Sequence, residues 1–231
     1  MKLEKIVFNI FSENTYILTG TSGRCVIVDP GCMTQEEKDT FITHLRDAAL
    51  TPDAILLTHG HGDHISGVKM LQEAFGCPAY MNEDDVKVLE HTQEMFRLLR
   101  QGVIDTDFKA TYVREGDTIS AAGLDFEVIE TPGHSPGGLC YLNRSGNFIF
   151  TGDTLFQGTI GRNDFKFGDY DAEIKSIMEK LMVLDGDIDI HPGHGPSSTI
   201  GYERTHNPML EPFNEPVENP DEDLDPITIK A

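Results

Sequence analysis

Residues 54–68 read AILLTHGHGDHISGV, and within them His59, His61, Asp63 and His64 crowd six positions directly behind an apolar run. The chain has nine histidines in all, so three in so short a stretch need a cause. An apolar run that stops at a glycine-broken polar segment reads as a buried strand feeding a loop. In an extended loop residues two apart project to one side, which pairs His59 with His61. Asp63 and His64 are adjacent and close to a helix start, so they point elsewhere. This spacing favours two ion positions over one.

Three more apolar runs end on residues of the same chemistry. FEVIETPGH delivers His134, NFIFTGD delivers Asp153, and DIDIHPGH delivers His194, each beside a glycine. A strand end fixes direction, and a glycine-containing loop lets the chain turn toward a common point. Singly, a histidine at a strand end is usually structural and Gly-Asp is usually a turn. Four loops carrying these donors together point to a metal site. They fill two shells if Asp153 bridges, because a carboxylate offers two oxygens where an imidazole offers one free nitrogen.

The rest of the chain frames that site. EKIVFNI, NTYILTG and GRCVIVDPG, each bounded by turn residues, predict three sequential antiparallel strands. Thr34 with Glu37 forms a capping box opening a helix that runs to Ala49, and HISGVKMLQEAFG predicts a second helix ending at Gly76. Residues 82–111 predict one or two helices over the sheet or its rim, with Val86, Leu89, Met95, Leu98 and Leu99 available for packing. A second β-rich half begins at Tyr112 and is interrupted by a helix over 170–183. Strands, helix, strand, helices, strands, helix, strand is the order of an α/β fold with two mixed sheets face to face and helices outside.

At 231 residues one sizeable core is expected, over residues 1–210. Residues 211–231 hold seven carboxylates, four prolines and one lysine, and read as an extended acidic tail. That tail carries −6 of the formal charge of −21, so the body is acidic too, which disfavours nucleic acid, anionic lipid and polyanionic substrates. Cys25, Cys32, Cys77 and Cys140 are scattered, as suits reduced thiols. Polar residues interrupt the apolar start before it could serve as a signal peptide, and no run of about 18 apolar residues could span a bilayer. A cytoplasmic protein acting on a small molecule, of undefined oligomeric state, is the expectation.

Taken together, these residues resemble the metallo-β-lactamase superfamily over roughly residues 3–210. THGHGDH (58–64), TPGHSPGG (131–138), GDTLF (152–156) and PGHGP (192–196) match its signatures. GDTLFQGTIGRNDF and STIGYERTHNPML look like its single-domain, glyoxalase II-like branch. The resemblance implies an αββα sandwich with a dinuclear site at one sheet edge. By position, His59, His61 and His134 resemble the ligands of a first ion, and Asp63, His64 and His194 those of a second. Asp153 resembles the bridging carboxylate, and Asp63 and Asp153 the catalytic carboxylates. Two divalent ions are implied, zinc first, with iron or manganese as alternatives. True β-lactamases lack an aspartate bridge at this step, and RNA-processing relatives carry a large extra domain.

The reaction implied is hydrolysis of a small thioester or ester of the hydroxyacylglutathione type. Paired divalent ions lower the pKa of a shared water from near 16 toward roughly 7 and so supply hydroxide at neutral pH. Two-domain glyoxalase II enzymes hold glutathione with basic residues of a C-terminal domain, for which the 37 residues after His194 leave no room. Arg162 is the candidate for gripping a substrate carboxylate, ahead of Lys166 and Tyr202. Ser22 and Ser135 superficially suggest nucleophiles, but GHSPG gives His134 to the metal site. Asp29 is either an orienter of a ligand histidine or a turn residue, and His191 is expected to support the last loop. His44, His91 and His206 read as structural, and Cys32 as a buried thiol. A mononuclear-iron persulfide dioxygenase and a lactonase are the alternative activities.

Overall fold

The computed structural model describes residues 1–98 and 104–213. Chain order is β1 (Lys2–Phe8), β2 (Glu13–Thr19), β3 (Arg24–Val28), α1 (Gln35–Asp47), β4 (Thr51–Leu56), α2 (Gly62–Ile65), α3 (Val68–Phe75), β5 (Ala79–Met81), α4 (Val86–Leu98) and β6 (Ala110–Tyr112). It continues through β7 (Thr118–Ala121), β8 (Leu124–Glu130), β9 (Leu139–Asn143), β10 (Phe148–Gly152), β11 (Leu155–Phe156), β12 (Thr159–Ile160), α5 (Tyr170–Ser176), β13 (Asp189–Pro192), β14 (Ser198–Thr199) and α6 (Ile200–His206). Two six-stranded mixed sheets form, ordered β1-β2-β3-β4-β5-β6 and β14-β13-β10-β9-β8-β7.

Period-two burial builds the layers. Along β2, Ile17 turns outward to Phe41 and Leu45 of α1, while its neighbours Tyr16 and Leu18 turn inward to meet Phe126, Tyr141 and Phe150 of the second sheet. Cys140, Leu142, Ile149 and Ile190 face the opposite way and are covered by Ile177, Leu181 and Ile200. Three apolar layers between helix, sheet, sheet and helix constitute the expected αββα sandwich. The first three strands pair antiparallel, as their turns require, and β3-β4-β5-β6 then run parallel through helical crossovers.

Several local expectations hold and several change. The Thr34–Glu37 capping box forms, and Gly76 ends α3 in the left-handed conformation at φ 69°. The single helix read from HISGVKMLQEAFG is instead α2 and α3, split because the Gly67 N–H leaves the helical ladder for Pro30 O at 2.7 Å. Gly67 is required there, since a Cβ would meet Cys32 Sγ at 2.5 Å. The second sheet begins at Thr118, not Tyr112, because β6 closes the first sheet against β5. Both strands are three residues long, too short for a periodic pattern to register. Leu89 packs in the core, but Leu98 is 75% exposed. Leu99 and nearly all of the acidic tail lie outside the described residues, which end in a 3-10 turn at Pro208–Phe213. Among the described residues no helix is long and apolar enough to cross a membrane.

Candidate metal centre

The site sits where β3, β4, β8, β10 and β13 end along one rim. At the end of β3, Asp29 adopts φ 48° and turns its carboxylate under the next loop. Asp29 Oδ1 accepts from Thr58 N at 2.8 Å, and Oδ2 accepts from Thr58 Oγ1 at 2.6 Å and faces His64 Nδ1 at 3.0 Å. Asp29 is therefore an orienter: its oxygens are occupied, and His64 is left with Nε2 free. Thr58 Oγ1, having donated to Asp29, accepts from His59 Nδ1 at 3.0 Å, so His59 Nε2 carries the lone pair. That atom is buried with no hydrogen-bond partner.

His134 is fixed the same way, with Nδ1 donating to Arg162 O at 2.6 Å and Nε2 facing His61 Nδ1 at 2.9 Å. The rings of His59, His61 and His134 lie 4.7–4.8 Å apart by centroid and 85–89° apart in plane, three edges converging on one point. On the other side His194 Nδ1 donates to Phe11 O at 3.1 Å, directing Nε2 to 3.3 Å from His64 Nε2 and 3.4 Å from Asp63 Oδ2. Asp153 spans both groups: Oδ2 is 3.6 Å from His134 Nε2 and 3.5 Å from His194 Nε2, and Oδ1 is 3.5 Å from His64 Nε2. Those separations exceed a hydrogen bond, yet they suit ligands that share an ion with bonds near 2.1 Å. Asp153 Oδ1 is likewise buried and unpartnered. Orphaned lone pairs, convergent rings and an N/O donor set all fit two divalent ions, one held by His59, His61 and His134 and one by Asp63, His64 and His194.

Electrostatics prepare the donors. Burial, reinforced by neighbouring imidazoles, holds His59 well below the usual histidine range and His61 down to about 3, so both stay neutral. Burial also opposes protonation of His64, but Asp153, Asp63 and Asp29 outweigh it and lift the ring well above its ordinary value. His194 is raised by Asp63 and Asp153 against the same opposition. For Asp153, burial is overcome by His64, His134 and His59, which keep the carboxyl well below its usual range. Ion binding would compete with protons at His64 and His194.

One residue absent from the sequence reading holds the loops together. Asp85, in the 3-10 turn Glu83–Asp85 before α4, is fully buried. Its Oδ2 accepts from Gly60 N at 2.7 Å and Ser135 Oγ at 2.9 Å, and its Oδ1 from Gly137 N at 2.6 Å. It thus ties the loop bearing His59 and His61 to the loop bearing His134. Ser135 acts as a strut in this clamp, while Ser22 occupies an exposed turn at φ 58°.

A cavity of about 730 Å³ opens above the donors between α4 and the 156–167 segment. Arg162 and Lys166 line it, as do Asp63, Asp153, His61, His134 and His194; Tyr202 does not, being stacked on His206 at 4.6 Å. Arg162 is engaged by Asp164, Nε to Oδ1 at 3.0 Å and Nη2 to Oδ2 at 2.9 Å, and lies over the Phe165 ring at 4.5 Å. His191 packs on Tyr16, Phe148 and Phe150 and reaches Ser197, supporting the last loop. His44 pairs with Glu4, and Cys32 is buried in the outer core. His91 lines the cavity as well, its Nδ1 facing Glu94 Oε2 at 3.1 Å and its ring edge-on to Phe167 at 5.8 Å.

The family model described as the Metallo-beta-lactamase superfamily matches residues 9–194. The chain belongs to that superfamily. It is 35% identical over 212 residues to hydroxyacylglutathione hydrolase GloC of Haemophilus influenzae, covering 91% of this chain and 98% of that one. Among solved structures, BLEG-1 B3 metallo-beta-lactamase shares 34% identity at a TM-score of 0.83, over 90% of this chain and 99% of that one. TTHA1623 in a di-iron-bound form shares 32% at 0.80, over 90% and 100%. The chain is thus about as similar to a protein named a β-lactamase as to one named a hydroxyacylglutathione hydrolase.

Proposed function

We propose that the chain hydrolyses a small thioester or related ester, of the hydroxyacylglutathione type, using two divalent ions at the donor groups above. The observation that supports this best is the Asp153 carboxylate reaching both groups at the floor of a roomy cavity. Bound there, paired ions would lower the pKa of a shared water and polarise the scissile carbonyl. The chain's own part is positional. Asp29, Arg162 O and Phe11 O fix the donor nitrogen of His64, His134 and His194, while Asp63 and Asp153 offset the ionic charge at the reacting end of the cavity. A thioester suits this arrangement because its thiolate leaves without a protein acid, thiols ionising near pH 8.5. Four free buried thiols, a body of negative charge and a cavity of about 730 Å³ support a small-molecule substrate in a reducing, cytoplasmic setting, without nucleic acid or membrane partners.

Elemental analysis of the purified protein, paired with rates on S-lactoylglutathione, a lactone and a β-lactam, tests the reading. Two ions per chain and preferential thioester cleavage are expected, zinc first, although the likeness to a di-iron form keeps iron in view. One iron per chain with oxygen uptake on glutathione persulfide would instead establish the dioxygenase alternative. Asp153→Ala should abolish ion retention and activity together.

A further inference from the structure

We infer that the thioester, if the reading above holds, carries a bulky apolar acyl group beside the scissile carbonyl, seated in an aromatic collar around the donors. Phe165 stands edge-on to His61 at 5.6 Å and to His134 at 5.9 Å, roofing the first donor group. Phe156 stands 6.3 Å from His194 and flanks the second. Phe11 and Phe96 meet at 6.1 Å, and Val88 lies one face along α4 from Phe96 on the same cavity wall. Phe167 completes the wall beside Lys166, whose ammonium lies 5.3 Å from its ring. Any substrate whose carbonyl reaches Asp153 must therefore place its neighbouring substituent against phenyl groups.

The same wall is poor in anchors for a charged thiol carrier. Glutathione brings two carboxylates and an ammonium. Among the described residues lining the cavity the permanent cations are Arg162, held by both Asp164 oxygens, and Lys166. A cavity of about 730 Å³ is of the size that encloses drug-sized ligands, far more than a lactoyl group fills. Hydrolysis of such a substrate adds water across the carbonyl and breaks the C–S bond, giving a lipophilic carboxylic acid and a thiol.

The test uses the zinc-loaded full chain with acetyl, butyryl, hexanoyl and phenylacetyl thioesters of N-acetylcysteamine, beside S-lactoylglutathione. Burial of each methylene at about 0.8 kcal/mol raises kcat/KM by roughly threefold to fourfold, so hexanoyl should exceed acetyl by about 100-fold. In Phe165→Ala and Phe156→Ala, at half-buried positions that do not support the core, that ratio should fall about tenfold. Calorimetry with hexanoate, phenylacetate and acetate gives a readout independent of turnover. Thioester turnover without chain-length preference, or with lactoylglutathione tenfold better than hexanoyl, overturns the apolar pocket and leaves the thioester reading standing. Hexanoate binding at least tenfold tighter than acetate and weakened in Phe165→Ala, with no thioester cleaved, supports the pocket and sinks the thioester reading. Equal binding of the three acids overturns the pocket.

Discussion

Replacing Asp85 with alanine removes no candidate ligand, yet it should weaken one donor group and spare the other. The carboxylate accepts three buried hydrogen bonds, from Gly60 N, Gly137 N and Ser135 Oγ. Each bond to a charged acceptor contributes about 1.5–3 kcal/mol, and each donor left unsatisfied in the interior costs about 1–3 kcal/mol. Against this, Asp85 itself is uncomfortable: burial raises its pKa despite the three donors, so removing it recovers some desolvation. A net loss of about 3–5 kcal/mol follows, a large part of the roughly 5–15 kcal/mol that holds a domain together, and it should lower Tm by about 10–15 °C. Because Asp85 grips the loops of His59, His61 and His134, affinity there should drop about 10- to 100-fold, the range found when a supporting residue is lost. His64 and His194 are held by Asp29 and Phe11 O, so their group should lose threefold or less, by chelator competition resolving the two ions. Asp85→Asn keeps one acceptor oxygen and should fall between. Equal loss at both groups, or unchanged affinity at the first with a lowered Tm, would refute the clamp.

Asp29→Ala should weaken both groups, about 10- to 100-fold at the His64 group that it holds directly and less at the first group, where it acts on His59 through Thr58, measured by the same competition. Asp164→Ala frees the Arg162 guanidinium from an exposed, solvent-screened pair. The ratio of kcat/KM for succinyl over butyryl thioesters should accordingly rise by about threefold. Glu173, fully buried, has its carboxyl pushed up from 4.5 to about 7 by burial, with Asp153 adding to the rise. The folded state then keeps a proton that the unfolded chain releases, so metal-free stability should fall as pH climbs from about 4.5 to about 7, by up to about 3 kcal/mol, and level off above. Glu173→Gln should remove that slope in denaturant melts taken across this window. A parallel slope in the variant would show that another group titrates there.

How much of this site could be read from the chain alone depends on what each part requires. The donors are legible because coordination needs a few residue types, and because each sits at a strand end beside a glycine; the His59 and His61 rings lie together as their spacing implied, and His134 joins them as the family resemblance implied. Strands β5 and β6 were not legible, since three residues show no alternation and their place is set by β4. Neither was Asp85: in NEDDVKV it is one of three acids in a row, and only tertiary packing buries it while Glu83 and Asp84 stay exposed. The collar was missed for a related reason, because Phe165 and Phe167 alternate in a loop whose course depends on the Asp169 N–H bond to Gly133 O at 2.8 Å. The supports of His134 and His194 are backbone carbonyls of Arg162 and Phe11, and a carbonyl has no residue identity to read. Arg162 makes the point sharply. Its side chain drew attention as a substrate grip, whereas the structure pairs that side chain with Asp164 and uses the main-chain oxygen to set which nitrogen of His134 faces the ion. Substitutions at Arg162 should therefore leave His134 in place so long as the loop keeps its path. By the same logic a Gly161→Ala change, whose Cβ would fall within 1.8 Å of Asp153 O, should disturb both the loop and the bridging carboxylate at once.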